Sequence, residues 1–115
     1  MAAILQKGST GRTDSVPSGA FIKMLTSNGA KMQGRVDSGK LAVGAHADLV
    51  MLDFDQIHVM PVYDYCDAFL YSANSSNVVM TMVDGKILYE NGEYTTIDIE
   101  RLKYRFRQIT GSYFT

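Results

Sequence analysis

Apolar positions along this chain recur with two different periods, and the switches between them divide it into helices and strands. From residue 17 onward, Phe21, Ile22, Leu25 and Met32 fall near i, i+4 and i+11. That is one apolar face of a helix opening at Pro17 or Ser18 and stopping at Gly34. Asn28-Gly29 is its weak point, where such a helix bends or ends early. At the start, MAAILQKG reads as the last two turns of an amphipathic helix with no capping residue before it, as though the helix began upstream. A turn-rich loop, Gly8 to Asp14, separates the two. Pro61 to Ala73 predicts a short helix with Val62, Cys66, Phe69 and Leu70 on one side. Near the end, Ile99, Leu102, Phe106 and Ile109 recur at spacings of 3, 4 and 3, which predicts a helix from Ile99 to Ile109 with that face on the core. Thr96 or Asp98 caps it, and Asp98 and Glu100 at its positive end balance Arg105 and Arg107 near its negative end.

Between these helices the pattern is that of strands. Val36 to Gly44 is a short extended or turning piece punctuated by Gly39 and Gly44, and it leads into Ala47 to Asp53. Leu49, Val50, Met51 and Leu52 are apolar on both faces, as expected of an interior strand covered on both sides. Asn74 to Asn77 is a polar connector. Val78 to Val83, the pair Asp84-Gly85 and Lys86 to Tyr89 predict a two-residue hairpin, because both turn positions need positive φ. A second turn at Asn91-Gly92 lets Glu93 and Tyr94 extend the sheet or leave it. The hairpin is antiparallel, whereas the passage from Asp53 to Val78 is long enough for a parallel crossover, so the direction of the 47–53 strand is open. The fold class is α+β, a small mixed sheet with flanking helices.

Composition narrows the function classes. The chain has 115 residues, 46% hydrophobic and 20% charged, enough for one modest core and no more. A net charge of -1 argues against nucleic acid or an anionic membrane as partner. Its uninterrupted apolar runs, such as Met1 to Leu5 and Leu49 to Leu52, fall far short of the roughly 20 residues that span a bilayer. One cysteine, Cys66, makes no internal disulfide, which fits a reducing cytoplasm.

No motif carries a reaction. Gly34 to Leu41 nearly fits a phosphate-binding loop, but Leu41 lacks the required hydroxyl, and the segment follows a helix and precedes a strand, the reverse of that site. His46 and His58 are the only imidazoles. A metal site would need them to converge with Asp48, Asp53, Asp64, Asp67 or Cys66, yet they flank a strand on opposite ends. His46 is expected in a surface turn, and His58 is expected to orient the loop before Pro61 through a backbone hydrogen bond. Cys66 has no adjacent base and lies on an apolar helix face. Asp64 and Asp67, like charges three apart, read as capping or solvated groups. Arg101, Lys103, Arg105 and Arg107 read as a solvated helix face. The expectation is no catalytic residue and no metal ligand in this chain.

Several segments resemble the C-terminal region of the amidohydrolase superfamily, in the branch of guanine and S-adenosylhomocysteine deaminases and triazine hydrolases. Thr26-Ser-Asn-Gly-Ala30 followed by Gly34 resembles its T-x-N-G-A helix and glycine stop. Gly39 to Asp53, GKLAVGAHADLVMLD, is similar to its G-x-L-x-x-G-x-x-A-D-L-V-x-x-D strand. His58 to Asp64, Tyr71 to Asn74 and Val83 to Lys86 resemble its H-x-x-P-x-x-D, Y-S-A-N and V-D-G-K segments. MAAILQKG looks like the helix after the family's last barrel strand.

The resemblance implies a parent enzyme with a (β/α)8 barrel that holds zinc or iron through histidines and an aspartate. A metal-bound hydroxide would attack an electron-poor ring carbon and expel ammonia or chloride. None of those ligands maps onto this sequence. The implied division is residues 1–34, the last barrel-associated helices; 35–95, half of a composite β-sandwich with a short helix at 61–73; and 96–115, a terminal helix and tail. Gly39, Gly44, Asp48, Asp53, Asp84 and Gly85 are expected to fix turns and strand ends. The chain's expected partners are the missing N-terminal part of the parent and further copies of itself, through exposed Phe21, Leu25 and Phe69. The alternative expectation is a stand-alone interaction or oligomerisation module without catalysis.

Overall fold

The structure, a computed structural model, describes residues 2–111; Met1 and the tail beyond Gly111 lie outside the described residues. Helix α1 (Ala2–Thr10) is followed by α2 (Ser18–Lys23), a π-helical turn (Met24–Asn28) and α3 (Gly29–Met32). Then come β1 (Leu49–Leu52), α4 (Tyr65–Tyr71), a 3-10 turn (Ser75–Asn77), β2 (Val78–Val83), β3 (Lys86–Glu90), β4 (Glu93–Tyr94) and α5 (Ile99–Gly111).

The 17–32 helix thus forms in one run but widens to π geometry just before Gly29. The Thr26 hydroxyl donates back to the Ile22 carbonyl there at 2.8 Å, a contact that competes with regular helix bonding. The Gly39 loop presses on the same turn. Gly39 has φ 75, and a Cβ on it would stand 2.7 Å from the Thr26 carbonyl carbon and oxygen, so only glycine fits. The fourth helix is shorter than expected, because it opens where the Asp64 carboxylate accepts from the Asp67 N–H at 2.9 Å. Ser18 at the start of α2 donates its hydroxyl to the Asp67 carboxylate, tying α2 to α4.

The sheet has strand order β1-β2-β3-β4 and is antiparallel throughout. It is therefore not the mixed sheet expected, although the α+β class stands. Leu49 faces Met82, Val50 faces Thr81 and Met51 faces Met80, with bulges after Met51 and after Thr81. Asp84 (φ 49) and Gly85 (φ 77) make the β2–β3 turn, and Asn91 (φ 47) and Gly92 (φ 93) make the β3–β4 turn. The β1 strand is an edge strand, not the interior one its apolar faces predict. Among the described residues no strand pairs with its outer side, and Val50 and Met51 are exposed.

Burial is sparse. Among the described residues, Ala3, Phe21, Val59, Ala68 and Met80 are the buried apolar side chains. Phe21 belongs to this core, contrary to the expectation that it is exposed, whereas Leu25 is exposed and Phe69 half-buried. The predicted inward face of α5 is not inward: Leu102 is 54% and Phe106 67% exposed, and the helix buries none of its residues. The accessible surface is 9041 Å², nearly half as much again as the roughly 6,200 Å² expected of a folded monomer of this mass. The radius of gyration, 18.4 Å, also exceeds the roughly 13 Å of a compact chain this long.

Candidate functional site

The β1–β2 pair is pinned at both ends by polar side chains, and these two clusters hold most of the chain's candidate chemistry. At the opening end Asp48 precedes β1 and lies beside the β2–β3 turn. Its Oδ1 accepts from the Asp84 N–H at 2.8 Å and its Oδ2 from Arg35 Nη2 at 2.7 Å. The Gly85 N–H donates to the Ala47 carbonyl at 3.1 Å. The Asp48 carboxyl is held below the usual carboxylate range, first by the Asp84 N–H and then by the Arg35 side chain.

His46 lies in the same cluster. Its Nδ1 stands 2.8 Å from Asp84 Oδ1, and its Nε2 3.2 Å from Asp37 Oδ2. The bond to Asp84, then the charges of Asp37 and Asp84, raise the imidazole's pKa above its ordinary value. The sequence places His46 in a surface turn; the structure adds two carboxylates brought to it from 9 and 38 residues away.

At the far end the organising residue is Asn77, which is fully buried. Asp53 N–H donates to the Asn77 carbonyl at 2.7 Å, and Asn77 Nδ2 donates to the Asp53 carbonyl at 2.8 Å. The Asn77 Oδ1 accepts from the Asn74 N–H and meets His58 Nε2, each at 2.9 Å. Since Oδ1 is an acceptor only, His58 donates from Nε2. Its partner is thus a side chain, not the backbone expected from sequence. The Asp53 carboxylate accepts from the Asp55 N–H at 2.8 Å. Nothing in the periodicity singled out Asn77, which reads as one more polar residue of a connector. The only signal was that a strand begins immediately after it.

Of the six motif residues, Asp48, Asp84 and Gly85 meet at one end and Asp53 sits at the other. Gly39 packs on the helix, and Gly44 (φ 83) has open space where a side chain would be. An open groove of about 420 Å³ lies on the sheet, lined mainly by Val78, Leu88, Tyr89, Tyr94 and Ile97. Among the described residues no group of three or more His, Cys, Asp or Glu converges as metal ligands. The two histidines occupy opposite ends of the β1–β2 pair, each engaged with protein groups, and Cys66 is half-buried on α4. These residues do not fit a zinc site. No described helix is long and apolar enough to cross a membrane.

Known proteins share this architecture. A 5-methylthioadenosine/S-adenosylhomocysteine deaminase of Acetivibrio thermocellus is 38% identical over 110 residues, covering 95% of this chain and 26% of that protein. An adenosine deaminase of Xanthomonas campestris with bound zinc superposes with a TM-score of 0.85 at 27% identity, over 93% of this chain and 25% of that one. An atrazine chlorohydrolase of Arthrobacter aurescens, complexed with zinc and atraton, gives 0.71 at 26% identity, over 78% and 20%. The chain spans about a quarter of the length of the relatives it matches. The amidohydrolase family profile matches residues 1–88, and this chain belongs to the amidohydrolase family.

Proposed function

We propose that this chain is the C-terminal part of a metal-dependent amidohydrolase that hydrolyses a C–N bond of a heterocyclic, adenosine-like substrate, and that by itself it is structural. The observation that carries this reading is the contrast in coverage, 95% of this chain against 26% of the deaminase it resembles. The unclosed core supports it. Ile4, Leu5, Leu25, Met32, Leu102 and Phe106 are all more than half exposed, and the surplus surface is of the order that obligate interfaces bury, about 2,000 Å² or more. In this reading residues 1–34 lean on the barrel, 35–95 form one part of a composite sandwich, and the terminal helix from residue 96 completes the packing. Zinc, as in the solved relatives, and the hydroxide it activates belong to the rest of the enzyme. The six motif residues have the role of fixing the turns and strand ends of the wall that supports it.

Ammonia release from 5-methylthioadenosine, measured with added zinc, tests this reading. The 115-residue chain alone gives none, and mixing it with the remaining part of the enzyme restores turnover. Zinc-dependent turnover by the chain alone would overturn the assignment. The same exposed faces lead us to propose that the isolated chain self-associates. A single, concentration-independent monomer in sedimentation velocity would refute that part.

A further inference from the structure

His46 bridges two parts of the fold, the loop before β1 and the turn at the end of the sheet. Asp37 belongs to the loop whose next residues, buried Ser38 and tightly packed Gly39, rest on the helical segment. Asp84 belongs to the β2–β3 turn at the end of the sheet. Both ring nitrogens face carboxylate oxygens, Nδ1 at 2.8 Å and Nε2 at 3.2 Å. A neutral imidazole has one N–H and one lone pair, so with Nδ1–H bonded to Asp84 it would leave the Nε2 side facing the Asp37 carboxylate without charge to attract it. The imidazolium combines the hydrogen bond to Asp84 with an ion pair to Asp37.

We propose that His46 is a proton-dependent latch, which in its imidazolium form couples the helical segment, through Asp37, to the sheet, through Asp84. Loss of the proton keeps the shorter bond, Nδ1–H to Asp84, and releases Asp37. The neck of the 37–46 loop is then held by the backbone bond from His46 N–H to the Asp37 carbonyl, 3.0 Å, and by Arg35 on Asp48 nearby. The charged groups that face the ring are Asp37 of the loop, Asp84 of the turn and, more weakly, Arg35; Asp48 completes the cluster. The loop so tethered displays Leu41 and Val43 to solvent, 88% and 109% exposed. The latch is closed below the His46 midpoint and opens as pH rises through it. It stands independently of the reading of the chain as part of a hydrolase.

The test is a proton NMR titration of both histidines in the full 115-residue chain, alongside Asp37→Asn and Asp84→Asn. Each substitution keeps an acceptor oxygen and removes a charge, and Asn-Gly suits the β2–β3 turn as well as Asp-Gly does. The native His46 midpoint is expected above about 6.5. Each variant should shift it down toward that value, Asp84→Asn further than Asp37→Asn. Exchange of the His46 amide should accelerate across the native midpoint beyond the intrinsic pH dependence and lose that step in Asp37→Asn. A native midpoint at or below the ordinary value, or one that neither variant moves, overturns the latch. So does His46 amide exchange with no step at the midpoint.

Discussion

The β1–β2 pair and helix α5 both announce themselves through the spacing of apolar residues, yet they end in opposite states. The strands are closed at each end by side chains from distant positions, Asp48 on the 84–85 turn and Asn77 on Asp53. Helix α5 is capped by Asp98 Oδ1, which accepts from the Arg101 N–H at 2.9 Å, and carries an internal Lys103–Glu100 pair. Its apolar face nevertheless stands in solvent. A period of 3.6 shows that a helix has a face to bury, but not that the polypeptide in hand contains what buries it. Polar pins are more informative, because a buried amide or carboxylate is tolerated only where its partners are already in place.

The sharpest way to break the contrast is Asn77→Ala. It removes the fully buried amide that joins the Asp53 carbonyl, the Asn74 N–H and His58 Nε2. Each of the three lost hydrogen bonds is worth about 1 kcal/mol, so the expected loss is about 3 kcal/mol in urea denaturation. A loss under about 1 kcal/mol would mean that water replaces the amide and that this end of the sheet is not pinned.

Next comes a pair of glycines from one motif. Gly39→Ala meets the Thr26 backbone at 2.7 Å and also forces alanine to φ 75. The two effects together cost about 3 kcal/mol. Gly44→Ala has φ 83 but nothing within 4 Å, so it carries only the conformational cost, about 1 kcal/mol. The difference in melting between the two variants measures the helix–loop contact directly. Equal losses would show that this contact gives way.

These residues also mark what was legible in the sequence. The Asp84-Gly85 turn, the helix starting near Ser18 and the helix after Asp98 could be read from local chemistry, because turns and caps are local. The edge position of β1 and the exposure of α5 were not legible, because apolar residues look the same whether their cover lies in this chain or elsewhere. Asn77 and the carboxylates around His46 were hidden for another reason. Apart from Asn74, their partners are 9 to 38 residues away, and no period connects such positions.

A smaller effect separates charge from hydrogen bonding at the opening end. Asp48→Asn keeps an oxygen for the Asp84 N–H but loses the ion pair with Arg35, which is about half exposed; the cost at pH 7 should be small. The pH dependence is more telling. Because the folded Asp48 carboxyl titrates below its unfolded value, its contribution is complete above about pH 4 and is lost as pH falls through the lowered folded value. The variant should therefore lose less stability than the native chain between pH 4 and pH 2. Parallel acid limbs would show that the carboxyl is not held low.

The smallest effect is expected where the sequence pattern was strongest. Replacing Leu102 and Phe106 together by serine removes the centre of the α5 stripe, the kind of change that costs several kcal/mol in a packed helix. Here both side chains are more than half exposed, so the chain by itself should melt within about 0.5 kcal/mol of the native. Serine lowers helix propensity slightly, and helical content by circular dichroism would register that small loss. The comparison with Asn77→Ala becomes decisive when the rest of the enzyme is supplied. If α5 is a face waiting for cover, the double variant should associate with that part at least tenfold more weakly, since burying two large apolar side chains contributes about 1.5–3 kcal/mol each. Unchanged association, with stability also unchanged, would show that the stripe is a solvated surface and that the excess exposed area is covered elsewhere.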